Sequence, residues 1–334
     1  MLNIGVIGCG AIGRDHIRRL HDLVPGCQVI ACSDYLEEAA RKTAAQYEGL
    51  RAYATGEELI AAPEVHAVLI ASSDPSHAGY VLECLKHGKY VFCEKPLAQN
   101  ADDCEKIIQA ECAQGKRLVQ VGFMRRYDRG YAEMKRIIDS GELGAPLMIH
   151  ACHRNVSQPD GFQTEMGVSN VAIHELDICR WLLSDEYSSG QVLKVRQSAC
   201  STKGYDNPQI VLLETQSGAR IDVEVQVADA YGYDIQCQVV CEKGTVNLPD
   251  PYAVVKRANA TRSFPILTDW KDRFIEAYDI ELTEWIKSLA AGGPTGPSAW
   301  DGYAACVAAD ALNRSRGTGQ FLPITMMDKP SLYK

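Results

Sequence analysis

The sequence predicts a doubly wound parallel α/β sheet at the N-terminus, followed by an α+β domain with a large, mostly antiparallel, open-faced sheet. The length of 334 residues suits about two domains of ~150 residues. The first third alternates short apolar strands with amphipathic helices, whereas strands follow one another with short turns after about residue 122. We therefore expect domains at 1–121 and 122–334, with late helices allowed to pack back on the first domain.

The strands predicted in the first domain are short apolar runs, and each of the first four is followed by a helical pattern. Strands that are apolar on both faces and separated by helices indicate a parallel sheet covered on both sides. The predicted strands are 3–7, 28–33, 65–72, 89–93 and 117–121, and the predicted helices are 12–23, 36–47, 76–87 and 101–114.

The second domain is predicted from consecutive strand patterns interrupted by one helix and followed by two more. Short turns between strands favour antiparallel pairing, and the broad open face of such a sheet suggests burial against a partner subunit. The predicted strands are 146–150, 191–198, 209–215, 219–227 and 235–241, and the predicted helices are 169–183, 270–289 and 300–314.

Composition and charge restrict the class of protein. With 34 Lys and Arg against 43 Asp and Glu, the net charge is −9, and no basic block suggests a nucleic-acid or anionic-membrane partner. The 13 cysteines form no Cys-x-x-Cys pair, so we expect neither a disulfide framework nor a bound metal. The sequence shows no signal-peptide pattern and no apolar run of ~20 residues, so a cytoplasmic location outside membranes is expected.

The strongest local motif is Gly8-Cys9-Gly10-Ala11-Ile12-Gly13, which follows a predicted strand and opens a predicted helix. This context is typical of a Rossmann dinucleotide-binding loop, where the glycines permit a tight turn and close approach of a pyrophosphate. Asp34 ends the next strand, where its carboxylate can bind ribose hydroxyls and repel a 2′-phosphate. We therefore predict NAD rather than NADP, bound by Gly8, Gly10, Ala11, Ile12, Gly13, Asp34 and Tyr35.

A second motif ends another predicted strand in Glu94-Lys95-Pro96. Ligands of doubly wound sheets bind beyond the carboxyl ends of the strands, so Lys95 is expected near the nicotinamide. A simple surface ion pair between Glu94 and Lys95 is the alternative. Neighbours on an extended strand point to opposite sides, which makes that alternative weaker.

The two motifs, followed by an antiparallel domain, resemble the glucose–fructose oxidoreductase, inositol dehydrogenase and rhizopine catabolism (Gfo/Idh/MocA) family. The resemblance covers essentially the whole chain. It implies an NAD-dependent oxidoreductase acting on CH–OH, with myo-inositol oxidised to 2-keto-myo-inositol, and a homotetramer. Its longer stretches are Tyr90–Ala98, Leu118–Asp128, Pro146–His150, His153–Asn155, Tyr231–Cys237 and Gly296–Tyr303.

Carried over residue by residue, the resemblance implies that Lys95 and His174 handle the proton of the reaction. Which of the two accepts it stays open, because burial beside the positive nicotinamide lowers a lysine pKa of ~10.4, while a histidine starts near ~6.5. The implied polyol pocket also contains Arg125, His153, Asn155, Asn170, Asp177 and Tyr233. The implied nicotinamide pocket contains Ser72, Pro75, His77, Glu94 and Lys95.

One position departs from the family, which usually has Asp four residues before the histidine, where this chain has Asn170. An amide can hydrogen-bond the imidazole but supplies no charge. Another carboxylate can serve instead, with Asp177 on the same helical face as His174. The other two explanations are a different substrate and an impaired or engineered variant.

The sequence leaves two kinds of alternative function open. In the same class, the substrate is another inositol isomer (scyllo- or chiro-) or a sugar such as glucose. In another class, the chain is a non-catalytic NAD-sensing regulator.

Arg126 is interpreted as a solvated neighbour. The histidines without a partner pattern are interpreted as surface or helix residues, namely His16, His21, His66 and His87.

Overall fold

The computed structural model describes residues 1–158, 161–199, 205–251 and 254–334. The chain divides into two compact units. Unit 1 comprises Met1–Phe123, Tyr278–Cys306 and Met326–Lys334, and unit 2 comprises Met124–Ala277 and Val307–Thr325. Unit 1 thus takes in two late stretches of chain, and the domain boundary between residues 121 and 122 stays a prediction.

Unit 1 is built on a six-stranded parallel sheet with the order β3-β2-β1-β4-β5-β6, which confirms the doubly wound fold. The strands are β1 Leu2–Ile7, β2 Cys27–Ser33, β3 Arg51–Ala52, β4 Ala67–Ile70, β5 Tyr90–Glu94 and β6 Val119–Gly122. The helices between them are α1 Ala11–Asp22, α2 Glu37–Ala44, α3 Gly56–Ala61, α4 His77–Lys86 and α5 Ala101–Gln114. The short elements β3 and α3 were not predicted.

Unit 2 contains a seven-stranded mixed sheet with the order β12-β11-β7-β10-β9-β8-β15. Only the β7–β10 pair in this sheet is parallel, so the mostly antiparallel prediction is confirmed for the residues described. Its strands are β7 Pro146–Arg154, β8 Tyr187–Lys194, β9 Gln209–Thr215, β10 Arg220–Gln226, β11 Asp234–Cys241, β12 Gly244–Asn247 and β15 Leu322–Pro323. A separate hairpin pairs β13 Lys256–Ala258 with β14 Thr261–Ser263.

Unit 2 contains the helices α6 Arg129–Ser140 and α7 Ile173–Leu183. The sequence did not predict α6. Two late helices, α8 Trp270–Ala290 and α9 Ala299–Ser315, supply residues to both units. In the described part of the chain, no helix combines the length and apolar character needed to cross a membrane.

The helix predicted over 169–183 is in fact two elements. A π-helix spans Gly167–Ala172 and continues directly into α7. Apolar periodicity over a single turn does not separate i→i+5 from i→i+4 hydrogen bonding, so the sequence pattern could not reveal the change. Single π turns occur often at functional sites, and this one ends two residues before His174.

The core of unit 1 depends on a late segment of the chain. Trp285 of α8 is fully buried, and its ring lies 5.4 Å from that of Phe92 on β5 in an edge-to-face arrangement. Leu282 and Ile286 join the same apolar cluster. The indole N–H of Trp285 is buried without a hydrogen-bond partner among the described residues. Its ring area, rather than its polar group, therefore stabilises the unit.

We expect Trp285→Ala to lower the free energy of unfolding by about 3–5 kcal/mol, because truncating a buried aromatic ring leaves a cavity. Trp285→Phe should cost much less, because it keeps most of the ring and removes an unsatisfied N–H. Urea unfolding of both variants beside the wild type measures the difference. Equal losses in the two variants would contradict this account.

Candidate active site

The glycine loop at the start of unit 1 has the backbone geometry that its motif predicts. Gly8 has φ +102°, and a Cβ on Gly13 would lie 1.9 Å from the carbonyl oxygen of Gly8. Gly10 instead faces open space, since a Cβ there would meet no atom within 4 Å. Ala11 and Ile12 begin α1 directly after it. The loop therefore leaves room for an anionic group at the positive end of the helix.

Asp34 is tied to this loop at the end of β2. Its Oδ2 accepts a hydrogen bond from the backbone N–H of Cys9 at 2.7 Å, and its Oδ1 accepts one from Leu36 N–H at 2.9 Å. The side chain of Tyr35 is fully exposed beside it. The carboxylate thus stands at a fixed place next to the glycine loop, where it can accept hydrogen bonds from a ribose.

His77 links the two segments that follow β4 and β5. It is buried, with Nδ1 2.7 Å from the carbonyl oxygen of Pro96 and Nε2 3.1 Å from that of Ser72. Ser72 Oγ also lies 2.7 Å from Ser76 Oγ, and Pro75 belongs to the 3₁₀ turn Asp74–Ser76. The predicted residues Ser72, Pro75 and His77 therefore all lie after β4, with the ring nitrogens of His77 directed at backbone carbonyls.

Glu94 ends β5 and Lys95 follows it, and the structure shows a partner for Glu94 that the sequence did not indicate. His16 is fully buried on α1, and its Nε2 lies 2.7 Å from Glu94 Oε1. His16 does lie on a helix, one of the two places that the sequence interpretation allowed, but it is not at the surface and its partner is 78 positions away in the sequence. Lys95 is half-buried and follows this pair directly.

A second cluster lies in unit 2 around two buried charges. Arg125 Nη1 donates a hydrogen bond to Glu175 Oε1, and both side chains are about 1% exposed. Glu175 Oε2 lies 2.9 Å from Nδ1 of His153, which is also 3.1 Å from Nη2 of Arg125. The three side chains therefore form one closed, water-excluded triangle.

The pKa values in this triangle follow from its charges. Burial alone would raise the pKa of Glu175, but attraction by Arg125 and His153 outweighs burial and leaves the pKa below its ordinary value of 4.5. Burial alone would lower the pKa of Arg125, but the carboxylate of Glu175 raises it above its ordinary value. Both groups are thus charged at neutral pH.

Ring contacts connect the triangle to two further predicted residues, Tyr233 and His174. The ring of His153 lies 5.9 Å from that of Tyr233, edge to face, and 6.2 Å from that of His174. Burial raises the pKa of the Tyr233 hydroxyl to about 12, so the hydroxyl keeps its proton at neutral pH. Asn155 follows β7, and its Oδ1 is buried with no hydrogen-bond partner among the described residues.

Asp177 is held by a residue that the sequence interpretation had left in solvent. Arg126 Nε and Nη2 donate to the two carboxylate oxygens of Asp177 at 2.9 and 2.5 Å. The Arg126 side chain is 12% exposed and its guanidinium also stacks 5.9 Å above the Trp181 ring. The interpretation of Arg126 as a solvated neighbour was therefore wrong. A role for Asp177 toward His174 stays a prediction.

The sequence-predicted residues thus fall into two groups, one in each unit. Unit 1 holds Gly8, Gly10, Ala11, Ile12, Gly13, Asp34, Tyr35, Ser72, Pro75, His77, Glu94 and Lys95. Unit 2 holds Arg125, His153, Asn155, Asn170, His174, Asp177 and Tyr233. Within unit 2, Arg125, His153, His174 and Tyr233 belong to one connected cluster, and Asn170 lies in the π-helix before His174. That Lys95 and His174 act on one substrate stays a prediction.

Sequence reasoning missed Glu175, His16 and the bidentate role of Arg126. Glu175 sits between His174 and Asp177, and a charged residue inside an otherwise apolar helix pattern was the available signal. His16 follows Gly13 on α1, but nothing local indicates a partner on β5.

The parallel sheet, the glycine loop and the acidic end of β2 define unit 1 as a dinucleotide-binding domain. Family comparison agrees: residues 2–123 match the model of an oxidoreductase family with an NAD-binding Rossmann fold. Residues 135–326 match the C-terminal alpha/beta domain of the same family. The chain belongs to this Gfo/Idh/MocA oxidoreductase family, as the motifs had led us to expect.

Individual relatives resemble the chain over its full length. An inositol 2-dehydrogenase of Burkholderia cenocepacia is 52% identical over 335 residues, covering 100% of this chain and 99% of the relative. The crystal structure of myo-inositol dehydrogenase from Lactobacillus casei, in complex with NAD(H) and myo-inositol, is 37% identical, with a TM-score of 0.97 and full coverage of both chains. A scyllo-inositol dehydrogenase from Lactobacillus casei shares the fold at 20% identity and a TM-score of 0.88, covering 97% of this chain and 99% of its own.

We expect Glu175→Gln to lower the free energy of unfolding at pH 7 by about 3 kcal/mol, because it leaves the buried charge of Arg125 uncompensated. The folded-state pKa of Glu175 is depressed, so its contribution is present above about pH 4.5 and is lost as pH falls through the folded pKa. The difference between wild type and variant should therefore shrink on acidification.

Urea unfolding at pH 7, 5 and 4 measures this difference. Glu133→Gln is the matched control, because Glu133 pairs with Arg136 on an exposed helix face and its loss should leave the unfolding midpoint nearly unchanged. A Glu175→Gln loss that is equally large at pH 4 and pH 7 would contradict the assigned charge state.

Proposed function

We propose that this protein is an NAD-dependent inositol 2-dehydrogenase that oxidises myo-inositol to 2-keto-myo-inositol. The observation that carries the proposal is the 52% identity, over the full length of both chains, with relatives named inositol 2-dehydrogenase. The myo-inositol dehydrogenase of Lactobacillus casei, at 37% identity, supports the same substrate. The buried hydrogen-bonding cluster of unit 2 suits an uncharged ring with several hydroxyls.

The residues of unit 1 fit a bound NAD. The open space at Gly10 accommodates a pyrophosphate against the start of α1, and Asp34 offers a carboxylate to the adenosine ribose. The same carboxylate would repel the 2′-phosphate of NADP. Ser72, Pro75, His77 and Glu94 are proposed to border the nicotinamide half. When bound, NAD⁺ accepts a hydride at its nicotinamide ring.

The chain itself must orient the alcohol and remove its hydroxyl proton. We assign that proton to Nζ of Lys95 or to the imidazole of His174, with the other group hydrogen-bonding the substrate oxygen. Proton removal by a positioned base contributes typically 10²–10⁴-fold to the rate. Arg125, His153, Asn155 and Tyr233 are proposed to hold the remaining ring hydroxyls, with Asn170 and Asp177 in the same pocket. Orientation by such groups supplies a further large part of the rate.

Initial rates with a panel of inositol isomers and glucose, each with NAD and NADP, test the proposal. We expect the highest kcat/KM with myo-inositol and NAD, and a fall of at least ~10²-fold in kcat for Lys95→Ala and for His174→Ala. Lys86→Ala is the matched control, because Lys86 is an exposed lysine paired with Glu83. A higher rate with scyllo- or chiro-inositol, or with glucose, would reassign the substrate, and NAD binding without turnover of any polyol would favour a regulator.

The variant Asn170→Asp, measured in the same experiment, tests why this chain has an amide at position 170. If this chain works best with the amide, Asn170→Asp should lower the rate with the preferred substrate. If Asn170 impairs the enzyme, the same change should raise kcat with myo-inositol by supplying a charge beside the imidazole. The two results separate altered specificity from impairment.

We also propose a homotetramer in the cytoplasm. One face of the unit 2 sheet is buried, whereas Ile210, Leu212 and Val240 are only half-buried and Met148 is exposed on the other. Apolar side chains on an open sheet face are typical of a subunit interface. Light scattering should give four times the chain mass of 36.7 kDa, and Leu212→Glu should reduce it. A monomeric wild type would reject the interface.

A further inference from the structure

Unit 1 buries an imidazole for which the proposed reaction has no use. His16 lies on α1 with no exposed surface, and its Nε2 is 2.7 Å from Glu94 Oε1. Its Nδ1 is also buried and has no hydrogen-bond partner within the described chain. Nε2 carries a hydrogen in this geometry, because a carboxylate offers only acceptors. His16 therefore donates to the Glu94 carboxylate.

The other oxygen of Glu94 is fixed as well. Oε2 accepts a hydrogen bond from the backbone N–H of Lys95 at 3.3 Å. Gly122, at the end of β6, makes room for it, because a Cβ there would lie only 3.0 Å from Oε2. The carboxylate is thus held between α1, β6 and the first backbone amide beyond β5.

The ring of His16 is itself confined by its neighbours. Phe92 on β5 lies edge to face at 5.9 Å between ring centroids, and Tyr278 does so at 5.7 Å. A ring that is packed on two sides cannot turn its Nε2 away from Glu94 without moving these aromatic rings. The direction of the hydrogen bond is therefore set by the core of unit 1.

We propose that His16 is a positioning residue for Lys95 and that it acts through the carboxylate of Glu94. This inference rests on the proposed function, in which Lys95 contacts the substrate. Two hydrogen bonds connect His16 to Lys95. His16 binds Oε1 of Glu94, and Oε2 of Glu94 binds the backbone amide of Lys95, the residue whose side-chain amine is proposed to react. Loss of the His16 donor frees the carboxylate, and with it the start of the segment that carries Lys95.

Three variants test the proposal. His16→Leu removes the donor at similar volume, His16→Gln retains a donor at the end of the side chain, and His21→Leu is the control on the exposed face of the same helix. We expect kcat of His16→Leu to fall ~10- to 100-fold with a smaller change in KM, because displacing a reacting group by ~1 Å has effects of that size. His16→Gln should recover most of this loss, and His21→Leu should match the wild type.

Two measurements separate positioning from a merely structural role. In a double-mutant cycle with Glu94→Gln, the pair should lose no more than the larger single loss, because His16 acts through Glu94. Hydrogen exchange measured by mass spectrometry should be faster over residues 94–98 in His16→Leu and unchanged in His21→Leu. Neither measurement depends on the thermal midpoint, and exchange does not depend on turnover.

The outcomes distinguish this inference from the proposed function. A wild type that turns over no polyol rejects the proposed function, and the exchange data alone then decide whether His16 holds the segment. If His16→Leu melts at a lower temperature but keeps wild-type kcat and wild-type exchange over 94–98, the positioning role is overturned. Additive losses in the double mutant overturn the route through Glu94.

Discussion

An arginine and a glutamate held out of water, Arg125 and Glu175, are the constraint on which the cluster of unit 2 depends. Removing two such charges from water is costly, and their attraction repays that cost only when the geometry is good and the remaining polar atoms are satisfied. Here the second oxygen of Glu175 is used on His153. The pair therefore also fixes the orientation of the His153 ring, through the second oxygen of Glu175.

In unit 1, several side chains of the candidate site are oriented by hydrogen bonds to backbone groups. Asp34 accepts from two backbone amides, His77 faces two backbone carbonyls, and Glu94 accepts from the amide of Lys95. Each of these side chains lies near the carboxyl end of a parallel strand. It either follows that end directly or is hydrogen-bonded to the segment that does. Because those ends lie along one edge of the sheet, side chains that are distant in sequence are fixed by one set of loops.

The elements that the sequence predicted best are those whose signals are local. The helix α5 was predicted at its observed bounds, where Asn100 caps the first turn and Gly115 ends it in the left-handed conformation. β9 was likewise predicted at its observed bounds, from a continuous apolar run at 210–213, and in the structure its residues alternate between buried and half-buried. The two-residue β3 carries too few positions to show any period, and its pairing with β2 is set by the fold.

The candidate site divides along the same line. The glycine loop and Asp34 could be predicted because one short motif determines their geometry. Glu175, Arg126 and His16 could not, because each is defined by a partner 50, 51 or 78 positions away. A single sequence records the residue types of such pairs but not which of them meet, so a buried polar pair becomes visible only when the strands and helices are in place.

The pairing of charges in unit 2 bears on the class of substrate. Arg125 is bonded to Glu175 and Arg126 is bonded to Asp177, so each guanidinium faces a carboxylate of its own. A carboxylate or phosphate ligand would need a cation whose charge is not already balanced in this way, since bidentate recognition by arginine depends on that charge. An uncharged polyol needs only oriented donors and acceptors, and Tyr233 and Asn155 are among the residues proposed to supply them. Asn170 adds no charge to this balance. The electrostatics of the cluster and the neutrality of the proposed substrate are thus consistent with each other.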